Sequence, residues 1–110
     1  MERALIVQKF WLDKILDEGK TWEMRSTKTK IRGTVGLIEA CSGMIVGSVK
    51  IVDCDPKPIH ADDMFYVYHK VKDCTLLEKW PYAWVLKNAK RFEKPIPYTH
   101  PKGAVIWVKI

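Results

Sequence analysis

The sequence predicts an α+β, mainly β fold: a mixed β-barrel of about six strands with two or three flanking helices. Three observations carry that expectation. Short apolar or alternating runs recur between glycines and prolines, as strands between turns do. Helical spacing of apolar residues occurs in only two or three brief places. The chain has 110 residues, 47% of them hydrophobic, which suffices for one core and is too short for separate cofactor and substrate domains. Residues 1–110 are therefore read as a single domain.

Taken in order, Ala4-Leu5-Ile6-Val7 is an apolar run read as a buried strand. Trp11, Leu12, Ile15 and Leu16 then share one face of a helix, and Gly19 stands where a left-handed cap would end it. From Lys20 to Ser26 the residues alternate, with Trp22 and Met24 on one side of a strand and Thr21, Glu23 and Arg25 on the other. Thr34–Cys41 and Ile45–Asp53 read as a hairpin joined by Ser42-Gly43-Met44, and Gly33, Gly36 and Gly47 suggest bulges or tight corners. After Asp55-Pro56-Lys57-Pro58, the spacing of Met64, Val67, Tyr68 and Val71 predicts a helix from about residue 61 to 71. Thr75 is the expected cap of a short turn through Trp80. Ala83–Leu86 and Ala104–Ile110 complete the strands, the second with Val105, Trp107 and Ile110 alternating against their neighbours. Between them Pro95, Pro97 and Pro101 mark a rigid loop.

Nineteen Lys and Arg against thirteen Asp and Glu give a net charge of +6. Such a balance suits a polyanionic partner and suits equally a solvated Lys-rich surface. Cys41, Cys54 and Cys74 are odd in number and widely spaced, against a disulfide framework or a zinc ribbon, so a reducing, cytoplasmic location is expected. The four apolar residues after Met1-Glu2-Arg3 are too few for a signal peptide, and no stretch approaches the length of a membrane span. His60, His69 and His100 are spread apart, so no metal is expected, and the absence of a phosphate loop or dinucleotide fingerprint predicts no cofactor.

The densest cationic stretch holds Lys20, Arg25, Lys28, Lys30 and Arg32 with Glu23 as its single acid, a net +4. Lys and Arg on a strand and its following loop supply the donors that neutralise and orient phosphate oxygens; the same run also suits a loop kept soluble by charge. Glu23, two residues from Arg25 on one strand face, can hold the guanidinium in place or accept a hydrogen bond from a base amino group. As a plain surface ion pair it would be worth roughly 0–1 kcal/mol. Trp22, Trp84 and Trp107 read as core; Trp11, Tyr82 and Tyr98 read first as buried too, and are the better candidates for stacking on a base.

The stretch Leu16-Asp17-Glu18-Gly19-Lys20-Thr21-Trp22-Glu23-Met24-Arg25-Ser26 resembles the signature of the ASCH domain, a PUA-like family with the pattern Gly-x-Lys-x-x-Glu-x-Arg. The tail, from Tyr82-Ala83-Trp84-Val85-Leu86 through Pro95-Ile96-Pro97-Tyr98 to Gly103-Ala104-Val105-Ile106-Trp107, is similar to the end of the same family. Lys20, Glu23 and Arg25 match position by position. The glycine does not, since the pattern places it at Glu18 and this chain has Gly19 one step later.

The resemblance implies a PUA-like β-barrel whose cleft beside the first helix binds RNA or a nucleotide-like ligand, with DNA left open as a partner. Lys20, Thr21, Glu23, Arg25 and Ser26 would line that cleft, and Lys28, Lys30 and Arg32 would contact the backbone. It also implies an alternative, since some members are hydrolases. One branch removes the acetyl group of 4-acetylcytidine with a Lys, a Thr three residues later and a more distant Glu, and another is assigned ribonuclease activity. Here Glu23 occupies the position three after Lys20, so an enzyme would have to work with Lys20 and Glu23 as its catalytic groups, with Asp62 or Asp63 as a possible second acid.

Overall fold

The computed structural model describes residues 1–56 and 65–110; His60, Asp62, Asp63 and the first part of the helix expected over 61–71 lie outside the described residues. The elements in chain order are β1 (Arg3–Val7), α1 (Lys9–Asp17), β2 (Trp22–Arg25), β3 (Gly33–Glu39), β4 (Met44–Pro56), α2 (Tyr66–His69), α3 (Cys74–Lys79), β5 (Tyr82–Pro97) and β6 (Trp107–Lys109). The strands form one mixed sheet in the order β2-β5-β4-β3-β1-β6. β1 and β3 are parallel because α1 and β2 intervene in the chain, and every other neighbouring pair is antiparallel.

Among the described residues the fold is thus α+β with six strands and three helices, as the sequence implies, but no ladder joins the edge strands β2 and β6. Side chains span the opening instead. Trp84 of β5 and Trp107 of β6 stack nearly parallel with centroids 5.9 Å apart, and Arg25 of β2 donates to the Ile6 carbonyl of β1 at 3.1 Å. The main core inside this curl gathers Leu5, Val7, Leu12, Ile15, Leu37 and Trp84. Each such side chain contributes roughly 1.5–3 kcal/mol through burial. A smaller cluster of Ala4, Ile38, Ile45 and Val108 uses the opposite face of β1, β3 and β6. A third, of Met24, Val71, Leu77 and Ala83, lies where α3 meets β2.

Four sequence expectations are corrected. β5 runs for sixteen residues through Pro95 and Pro97, where a loop was expected after Leu86. β2 pairs with β5 only over Tyr82–Val85, so the rest of β5 is an edge, where a missing N–H breaks no ladder. β6 is only Trp107–Lys109, and Val105, expected to alternate inward, is 76% exposed while Val108 is buried. Asp73, not Thr75, caps α3, its carboxylate accepting from the Thr75 N–H at 3.0 Å and hydroxyl at 2.6 Å. The described part of the 61–71 helix is the single turn Tyr66–His69. No helix among the described residues is long and apolar enough to cross a membrane.

Candidate functional site

A change of direction after α1 builds the site. Gly19 adopts φ +74°, a left-handed conformation that glycine enters without steric cost, and the Lys20 N–H returns to the Lys14 carbonyl at 3.0 Å. Thr21 then ties the chain on both sides: its N–H donates to the Tyr68 carbonyl at 2.8 Å and its carbonyl accepts from Leu86 N–H at 2.7 Å. With the backbone so held, Lys20 points inward and is 2% exposed. Its ammonium donates to the His69 carbonyl, lies 5.0 Å from the Trp11 ring centroid and stands 3.9 Å from Glu23 Oε1.

β2 supplies the other charged groups through its pairing with β5, Glu23 opposite Trp84 and Arg25 opposite Tyr82. Glu23 is 5% exposed. Its Oε2 accepts from Arg25 Nε at 3.1 Å and Nη2 at 2.9 Å, and the guanidinium lies 5.4 Å from the Trp84 ring centroid. The Trp84 indole N–H in turn donates to the Thr27 carbonyl at 2.9 Å. The charged face of β2 is therefore turned into the protein, and its ion pairs are partly buried, the Arg25 side chain staying 21% exposed, unlike the surface pair that the sequence alone would allow.

Lys20, Glu23 and Arg25 line one cavity of about 270 Å³ together with Trp11 of α1, Gln8 before it and Trp80 after α3. Burial lowers the Lys20 pKa to about 8; Glu23 opposes that shift, while Lys14 and Arg25 add to it. An ammonium has three donors, and the His69 carbonyl takes one of them. Arg25 occupies Oε2 of Glu23 and leaves Oε1 facing Lys20. The cavity so presents N–H donors beside a carboxylate acceptor, the complement of a flat group carrying an acceptor atom next to an amino group. Its volume lies near the lower end for small-molecule sites and suits one base or nucleoside.

The remaining sequence candidates lie elsewhere. Thr21 spends its backbone on structure, and Ser26 is exposed. Lys28 reaches over the Tyr82 ring, 5.8 Å from its centroid. Lys30 and Arg32 line a separate depression of about 440 Å³ with Glu2 and Arg3, and Arg32 donates to the Thr29 and Ile31 carbonyls of its own loop. Sequence reasoning missed Gln8 and Trp80, which reach the cavity from segments far from the motif. The one signal for Gln8 was its place as the polar residue ending the first apolar run.

The sequence matches the ASCH domain family over residues 5–96. Compared with curated proteins, it has no significant match. Among solved structures, it is similar to an ASCH protein from Zymomonas mobilis, with a TM-score of 0.73 at 9% identity, covering 99% of this chain and 87% of that one. A serine-to-alanine mutant of the Zymomonas mobilis protein matches with a TM-score of 0.69, again at 9% identity and with 99% and 87% coverage. At this identity the likeness concerns the fold.

Proposed function

This chain belongs to the ASCH domain family, generally thought to bind RNA, and from that premise we propose that its cavity binds one amino-bearing base, cytosine foremost, of an RNA or free nucleotide. The observation that carries this reading is the convergence of Lys20, Glu23 and Arg25 in one cavity walled by Trp11 and Trp80. Glu23, oriented by Arg25, accepts from the base amino group, while Lys20 donates to the acceptor atom beside it on the same edge. Carboxylate recognition of the cytosine amino group is a known pairing of base edges. The exposed Lys28, Lys30 and Arg32 of the loop after β2 provide positive charge for phosphates.

Tryptophan fluorescence tests the reading directly, since two indoles line the cavity. CMP and UMP differ on one edge of the ring, an amino group beside an acceptor nitrogen in CMP against a carbonyl beside an N–H in UMP. CMP is expected to bind about tenfold more tightly, a good polar pair being worth ~1–3 kcal/mol, and Glu23→Gln to erase that preference. Equal affinity for the two in the wild-type protein overturns the assignment of Glu23.

A hydrolase acting on acetylated cytidine or on RNA is the second reading, and one observation favours it. With a pKa of about 8, roughly one Lys20 in ten is an uncharged amine at pH 7, able to accept a proton. Against it, no hydroxyl or thiol side chain lines the cavity among the described residues, so a covalent route has no nucleophile but Lys20 or Glu23. Turnover of acetylated cytidine that is lost in Lys20→Ala would establish the enzyme; the binding reading expects none.

A further inference from the structure

A second and larger cavity, of about 550 Å³, adjoins the first. Ile6, Gln8 and Val105 line both, so these three side chains form the partition between them. The far side of the second cavity holds Cys41 of the β3–β4 turn, Tyr98 and His100. Resting on the reading above, we infer that the site takes two consecutive nucleotides of single-stranded RNA, the base next to the recognised one lodging in this second cavity against Tyr98.

The ring of Tyr98 is fixed at both ends. Its backbone N–H donates to the Gly43 carbonyl at 3.2 Å, and its hydroxyl lies 2.8 Å from His100 Nδ1. His100 Nε2 is 2.9 Å from the Ala104 carbonyl. A carbonyl only accepts, so Nε2 carries a proton, and in that tautomer Nδ1 accepts from the Tyr98 hydroxyl. The aromatic wall is therefore held in position before any ligand arrives, which spares a ligand the entropy of ordering it. Tyr98 also packs on the Ala4, Ile38, Ile45 and Val108 cluster, which further limits its motion.

The lining chemistry selects a base over a phosphate. No Lys, Arg, Asp or Glu lines this cavity among the described residues, whereas Gln8 and Cys41 offer polar contacts. Single-stranded RNA is recognised by this combination, with splayed bases stacked on aromatic rings and hydrogen-bonded at their edges. Val105, 76% exposed, stands between the two cavities where the chain joining two bases would pass.

The test compares CMP with the dinucleotides CpU and UpC, both orders being needed because strand direction is unassigned. One dinucleotide is expected to bind about tenfold more tightly than CMP, within the range for stacking of one base. Tyr98→Ala should return it to the CMP level with CMP affinity unchanged, and Tyr98→Phe should keep the gain. Labelling gives a second readout on the unmodified protein. The bound dinucleotide should slow alkylation of the exposed Cys41, followed by site-resolved mass spectrometry, while CMP should not. CMP binding without a dinucleotide gain, or without protection of Cys41, overturns the second subsite and leaves the first intact. Failure of CMP itself to bind overturns both.

Discussion

Burying an ammonium group costs several kcal/mol unless protein oxygens replace its water, and at Lys20 the replacement is partial: one carbonyl at hydrogen-bond range and one carboxylate at 3.9 Å. The result is a pKa of about 8 against an ordinary 10.5. Between those values the unfolded chain holds a proton that the folded one has released, so stability rises with pH across that window, by on the order of 3 kcal/mol in all. Lys20→Met keeps most of the side-chain volume and removes the titration. Its lost hydrogen bond to His69 costs the same at every pH. Urea unfolding from pH 7 to 10 should therefore show the wild type gaining on Lys20→Met as pH rises, with groups common to both cancelling. A constant difference would mean that Lys20 is better solvated than its geometry indicates. That three charged residues of the motif lie together was legible from spacing, since Glu23 and Arg25 are two apart on a strand. Their burial was not, because alternation shows which residues share a face but not which face is covered. What covers them is Trp11, Val71 and Trp80, from segments that periodicity treats separately.

Among the elements, α1 and the centre of the sheet depend on one residue without a side chain. A Cβ on Gly47 would stand 2.5 Å from the Lys90 carbonyl and 3.1 Å from a Leu16 methyl of α1. The ladder slips at this point on both sides of β4, between Ile45 and Gly47 against β5 and opposite Leu37 and Ile38 against β3. Gly47→Ala is expected to destabilise the protein by about 1–3 kcal/mol, the usual cost of overpacking, read as a lower urea midpoint with an unchanged slope. A neutral substitution would mean that the β5 backbone at Lys90 can shift away from Gly47. Gly47 as a bulge or corner was legible in the sequence as an isolated glycine in a strand run. The length of β5 was not, because the prolines that punctuate it are compatible with a strand once one edge is unpaired, and pairing is a property of the assembled sheet. The parallel pairing of β1 with β3 is likewise absent from local pattern, since only the crossover through α1 and β2 decides it.

Over the whole molecule the net charge of +6 is spread over groups of different exposure. Lys20, Glu23 and Arg25 share a shielded cavity, whereas Lys28, Lys30 and Arg32 are exposed. Counterions condense on nucleic acid and are released where exposed cations meet phosphates. The salt dependence of RNA binding should therefore belong to the outer group, and the base preference to the inner one. Replacing Lys28 and Lys30 together by Ala should flatten the plot of log affinity against log salt for a short single-stranded RNA by about 1.4, at ~0.7 per phosphate contact. Lys20→Ala should lower affinity at every salt concentration and leave the slope nearly unchanged. A second basic face supplies the competing outcome. Lys50 of β4 stands directly opposite Lys87 of β5, with Lys90 opposite Ser48 beside them. Like charges across a ladder repel, so a polyanion there would relieve a cost already present in the free protein. If the slope survives loss of Lys28 and Lys30 and flattens on loss of Lys87 and Lys90, the RNA backbone runs over β4 and β5, and the loop after β2 is only a solvated connection.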